Sequence, residues 1–155
     1  MAAINVVRTI RAPAPTVFDT VADPRQFAQA ITGVTRLDSL SSTSAGAGTR
    51  YRQTRTMNGR TMTMEFEVTE CVKPERVRIV NETDGTVWDS VYTIRPANGM
   101  TTLTLRMEAG SRSLVTRLVL PLVCLLVRKA VARDLDAVKA HCERQGGTRE
   151  GAPPA

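Results

Sequence analysis

Residues 50–67 read RYRQTRTMNGRTMTMEFE, two alternating runs on either side of Asn58-Gly59. An Asn-Gly pair in that setting signals a two-residue hairpin, because a type I′ turn needs positive φ at both central positions. The turn pairs Met57 with Arg60, and the neighbours follow: Thr56 with Thr61, Thr54 with Thr63, Arg52 with Glu65 and Arg50 with Glu67. From Thr56–Thr61 outward, this face holds only Thr–Thr and opposite-charge pairs, each worth roughly 0.2–1 kcal/mol. It reads as the solvent face. The other face, with Tyr51 opposite Phe66, Gln53 opposite Met64 and Arg55 opposite Met62, must then point inward.

The same operation extends along the chain. Asp84-Gly85 pairs Val77 with Tyr92, Ile79 with Ser90 and Asn81 with Trp88. Asn98-Gly99 pairs Ile94 with Leu103, Tyr92 with Leu105 and Ser90 with Met107, leaving Thr93–Thr104 and Val91–Arg106 outside. Tyr92 and Ser90 fall on the apolar face in both hairpins, so the two registers agree independently. Asp89 opposite Glu108 is a like-charge pair that Arg78 or Arg106 must relieve.

Upstream, Ile4, Val6, Arg8 and Ile10 alternate on one face of a first strand that the proline pairs of Ala12-Pro13-Ala14-Pro15 end. Thr16–Ala22 reads as a short helix with Val17, Phe18 and Val21 facing one way, and Asp23-Pro24 opens a second helix to about Ile31 that Gly33 closes. Val34–Leu40 reads as strand, and residues 41–48 as a small-residue loop. After Gly110 a long helix is expected from about Ser111 to Arg144, with Leu120, Cys124, Val127, Val131, Leu135, Val138 and Cys142 on one stripe. Pro121 should kink or break it, and Gly146-Gly147 should stop it. The expected organisation is one domain over residues 1–145 and a disordered tail over 146–155.

A chain of 155 residues suits one domain with a real core and no need of staples. Its 21 Lys+Arg against 15 Asp+Glu give +6. No basic stripe with interleaved aromatics appears, so no nucleic-acid partner is expected. Attraction to an anionic membrane surface stays open, helped by the apolar Leu118–Val127, but a solvated arginine-rich surface is the plainer reading. That stretch has ten residues, too few for a span of about 18, and reads as a buried helix segment. The N-terminus lacks a signal-peptide pattern. Cys71, Cys124 and Cys142 show no metal-ligand spacing. A cytoplasmic protein with reduced thiols, no cofactor and no metal is the expectation, as monomer or homodimer.

A strand, two short helices, six hairpin strands and a long helix make an α+β protein: a seven-stranded antiparallel sheet must bury its apolar face under the final helix. That order resembles the helix-grip fold of START-like (SRPBCC) proteins, in the polyketide cyclase/dehydrase and lipid-transport branch. The resemblance lies in residues 10–18 (IRAPAPTVF), Val21-Ala22-Asp23-Pro24, Gly48-Thr49, residues 96–104 (PANGMTTLT) and residues 134–139 (DLDAVK), and it covers about residues 3–144. Members often carry a Trp near the end of the second short helix, where this chain has Gln29 and Ala30.

The resemblance implies a pocket between sheet and helix. By register, its candidate ligand-binding residues are Tyr51, Gln53 and Arg55; Met62, Met64 and Phe66; Ile79 and Asn81; Trp88, Ser90 and Tyr92; and Leu105 with Met107. Flexible methionines suit an adaptable apolar site or plain core filling. Inward Arg55 must meet an inward acid, a wet rim or an anionic ligand group, and reach to the rim is the simplest of these. Glu70 shares the parity of Val68 and reads as rim. His141, the single histidine, reads as a cation at the helix C-terminus. With no nucleophile–base pair, carboxylate pair or metal cluster, no catalytic residue is assigned. The expected function is binding or transport of a hydrophobic small molecule or lipid. A cyclase/dehydrase acting through Tyr92 or Arg55, or a protein-interaction module, are the alternatives.

Overall fold

The alternation is carried by the backbone. The computed structural model describes residues 2–150, with side chains over residues 2–145. Its elements are β1 (Ala2–Ile10), α1 (Ala14–Ala22), α2 (Pro24–Ala30), β2 (Val34–Ser39), β3 (Arg50–Met57), β4 (Arg60–Val72), β5 (Arg76–Thr83), β6 (Thr86–Ala97), β7 (Met100–Ser111) and α3 (Leu114–Glu150). Seven strands form one antiparallel sheet in the order β1-β7-β6-β5-β4-β3-β2. Thus β2 to β7 run as a meander, β1 closes on β7, and α3 packs on β1 and β7. This is the helix-grip arrangement.

All three hairpin registers match those derived from the turns. Asn58, Asp84 and Asn98 have φ of 53°, 52° and 51°, each followed by a positive-φ glycine, as type I′ turns require. On the outer face Thr54 meets Thr63 at 3.1 Å, Thr56 meets Thr61 at 2.9 Å and Arg52 meets Glu65 at 2.7 Å. The like-charge pair is relieved twice over, by Arg78 on Asp89 and Arg106 on Glu108.

Glu70 departs from expectation. The β4–β5 register shifts between Val68 and Glu70, so Thr69 is an extra residue and strand parity flips. Cys71, not Glu70, then follows Val68 on the inner face, and Glu70 lies outside, 3.3 Å from Arg76.

Asp23 caps α2, its carboxylate accepting from Arg25 N at 2.9 Å. Beyond α2, Gly33 sits at φ +89°, and a Cβ there would lie 2.4 Å from Thr56 O. Only glycine permits this approach, in which Thr56 N donates to Gly33 O at 2.8 Å.

Three expectations for the last helix need correction. Its start moves to Leu114 because Gly110 and Ser111 still pair with Val87 and Thr86 in the sheet. Ser113 then caps it, Oγ accepting from Thr116 N at 3.3 Å. The helix is continuous through Pro121 and runs past Gly146-Gly147 to Glu150, so neither breaks it. Residues 151–155 of the expected tail lie outside the described residues. Finally, Leu118–Val127 is not a buried segment. Leu120 and Cys124 are buried, but Leu118 is 83% exposed and Leu122, Leu125 and Leu126 at least 60%.

The core gathers Ile4, Val6 and Ile10 of β1, Leu103 and Leu105 of β7, Val17, Phe18 and Val21 of α1, and Leu135, Val138 and Cys142 of α3. Cys142 Sγ lies 3.4 Å from Thr20 Oγ1, which itself donates to Thr16 O at 2.8 Å.

Candidate functional site

The inner sheet face divides into a filled and a partly open region. Under β1 and β7, Ile4, Val6, Ile10, Leu103 and Ala109 are sealed, and Leu105, expected in the site, is 1% exposed and belongs to the core. Across β3 to β6 the strands keep Met64, Phe66, Ile79 and Trp88 only half-buried, with Met107 of β7 beside them. Met62, nearest the first turn, is 51% exposed and stands at the open end.

Among these apolar groups lie the polar ones. Tyr51, Gln53, Asn81, Ser90 and Tyr92 are all buried as residues. The Asn81 amide donates to Thr83 Oγ1 at 3.2 Å. Among the described residues, the side-chain polar atoms of Tyr51, Gln53, Ser90 and Tyr92 have no protein hydrogen-bond partner, yet no fully occluded side-chain nitrogen or oxygen is left unpaired. Each of these unpartnered polar atoms therefore keeps some accessible surface although its residue is buried.

Aromatic packing sets the two tyrosines. Tyr51 stacks on Phe66 with centroids 5.2 Å apart, and Tyr92 meets Phe27 of α2 edge-on at 6.4 Å. Burial pushes both phenols well above the ordinary tyrosine range. For Tyr92 the Asp134 carboxylate and then Tyr51 push the same way. Both phenols stay neutral, and a neutral phenol is an O–H donor.

Arg55 points inward and meets an acid. Its guanidinium grips Asp134 of α3 by two bonds of 2.9 and 2.6 Å, while Nε donates to Thr32 O at 2.8 Å. Both side chains are about seven-eighths covered. Such a bidentate pair in partial shelter holds geometry strongly. The rim reading of Arg55 is thereby corrected: one side chain ties β3, the α2–β2 turn and α3 together.

Asp134 and Phe27 were not assigned to the site from the sequence. Asp134 could have been found, because it stands between Val131 and Val138 on the inward stripe, where an acid needs a cation. Phe27 had no comparable signal. His141 lies well inside α3, since the helix continues to Glu150. It therefore does not sit at a helix end, and its Nε2 lies 3.1 Å from Gln145 Nε2.

Two open clefts lie elsewhere. One of about 560 Å³ is walled by Pro15, Thr16, Asp19, Gln26, His141, Arg144 and Gln145. The other, about 740 Å³, lies between residues 11–14 and the β6–β7 turn. Among the described residues no group of three or more His, Cys, Asp or Glu side chains could hold a metal. No helix there is long and apolar enough to cross a membrane.

The profile of the family described as polyketide cyclase / dehydrase and lipid transport matches residues 1–143. No curated protein matches in sequence. A START superfamily protein from Mycobacterium smegmatis superposes with a TM-score of 0.75 at 14% identity, over 92% of this chain and 98% of that one. Ara h 8.0201 gives 0.73 at 11% identity over 91% and 97%. DynU16, a putative protein in the dynemicin biosynthetic locus, gives 0.67 at 18% identity over 93% of this chain and 48% of that one. At these identities the likeness is one of fold.

Proposed function

Because the chain belongs to the polyketide cyclase / dehydrase and lipid transport family, we propose that it takes up an apolar small molecule or lipid between the sheet and α3. One observation carries the reading: buried Tyr51, Gln53, Ser90 and Tyr92, whose polar side-chain atoms have no protein partner among the described residues, share the inner sheet face with half-buried Met64, Phe66, Ile79, Trp88 and Met107. A mostly apolar wall with a few convergent polar groups is the usual make-up of a small-molecule site. In this reading the apolar side chains hold the body of the ligand. Tyr51 and Tyr92 donate to an oxygen of it, and Gln53, Ser90 and Asn81 set its orientation. Arg55, engaged by Asp134, braces the site without touching the ligand.

Trp88 is the single tryptophan, so its fluorescence reports on this wall. Titration with a fatty-acyl probe should give saturable change. Met64→Glu, which puts a charge against the ligand, should weaken uptake by more than about tenfold. Unchanged uptake by the folded variant would overturn the proposal. Native mass spectrometry of purified protein should carry the ligand's mass.

A second reading, cyclase or dehydrase chemistry, is favoured by the two neutral phenols. An O–H aimed at a carbonyl stabilises developing charge on its oxygen. Tyr92→Phe should then abolish turnover of a polyketide-like substrate while changing binding by only about fivefold. Equal loss of both would leave Tyr92 a binding group alone.

A further inference from the structure

The first half of α3 has an apolar face turned away from the protein. Leu114, Leu118, Leu122 and Leu125 or Leu126 follow at steps of three and four, one continuous stripe. All five are at least 60% exposed, and Val115 and Val119 widen the stripe. Leu120 and Cys124 of the same turns face the opposite way and are buried. The stripe is about 20 Å long at 1.5 Å per residue. A contiguous apolar surface of this kind marks an interaction site.

The charges around it name the occupant. From Ala109 to Arg133 there is no acidic residue, but Arg112, Arg117, Arg128, Lys129 and Arg133 all occur there. All five are exposed. None of these five is in a salt bridge among the described residues, although Arg117 Nε donates to Ser111 O at 2.7 Å. A second copy of the chain fits poorly, because a twofold interface would set these cations against their own kind. An anionic lipid surface matches both features. It accepts the leucines below the headgroups and offers negative charge to the arginines. The helix is too short in apolar length to cross, so it lies in the plane of the surface.

We propose that residues 114–129 of α3 form a docking face for an anionic membrane surface. This inference stands apart from the proposed cavity, since it uses the outward side of the helix.

The full chain would be sedimented with vesicles of phosphatidylcholine alone and of phosphatidylcholine with phosphatidylglycerol. Binding to the anionic vesicles is expected, weakening as salt rises. Arg117→Gln with Arg128→Gln should weaken it by about thirty-fold. Leu118→Asp with Leu122→Asp should weaken it by at least about a hundred-fold while circular dichroism stays unchanged. Val72→Asp, at an exposed apolar residue of β4, should bind as the parent does. Failure of the parent to bind anionic vesicles would overturn the proposal. So would equal binding by the Leu118/Leu122 variant, or a parent dimer that this variant converts to monomer, which would give the face to a second copy.

Discussion

The two halves of α3 each carry an apolar stripe and use it differently. From Asp134 onward the helix is held by protein on its inner side: Leu135, Val138 and Cys142 are sealed, Asp134 grips Arg55, and Asp136 meets Arg8 at 2.6 Å. From Leu114 to Leu126 the residues are more apolar, yet most of their surface is open. Apolar composition alone therefore does not place a helix in a core. What places the second half there is a set of partners, acid for cation and small side chain for thiol, which the first half lacks.

The largest test of this contrast is Leu135→Ala against Leu122→Ala. The first empties a sealed position and should cost about 3 kcal/mol in urea unfolding, the second less than about 0.5 kcal/mol. Equal costs would break the comparison. Asp134→Ala strands Arg55 in partial shelter and should cost about 2–3 kcal/mol, whereas Asp134→Leu with Arg55→Met together should recover much of that. Gly33→Ala, forced to positive φ against Thr56 O, should cost about 2 kcal/mol and loosen the same clamp. Hydrogen exchange at Thr56 N would report it.

A smaller effect comes from pH. The phenols of Tyr51 and Tyr92 are raised in the folded protein above the ordinary value of about 10. The neutral forms are thus favoured by folding. Their contribution is complete below about pH 10 and is lost as pH rises beyond it, because the unfolded chain ionises first. Absorbance at 295 nm should show no tyrosinate at pH 10 until the protein unfolds. An ordinary titration of Tyr92 would contradict its burial first and the nearness of Asp134 second.

Most of the fold was legible because three two-residue turns each set a register, and Thr–Thr and Arg–Glu pairs checked the first of them. The bulge at Thr69 was not legible. Nothing in Val68-Thr69-Glu70 marks an extra residue, so Glu70 was placed by a parity that the bulge reverses. The inward position of Arg55 followed from register, but its partner lay 79 residues away, and pairing across such a distance needs tertiary structure. The exposed leucines were misread for a related reason. Periodicity reports that a helix has an apolar face, not what covers it.

The two margins of the sheet bear on how the molecule keeps its own company. β1 is pinned to α3 by Arg8 on Asp136, and the residue just after it by Arg11 N on the Glu143 carboxylate at 2.9 Å. At the far margin β2 is six residues long, loses register between Val34 and Arg36, and carries Arg36 paired with Asp38 at 2.8 Å. A short, kinked, charged margin is a poor template for a stranger's strand. Strand addition is thereby discouraged at both margins, so the exposed leucines of α3 are not joined by an open sheet edge along which copies could stack into fibrils.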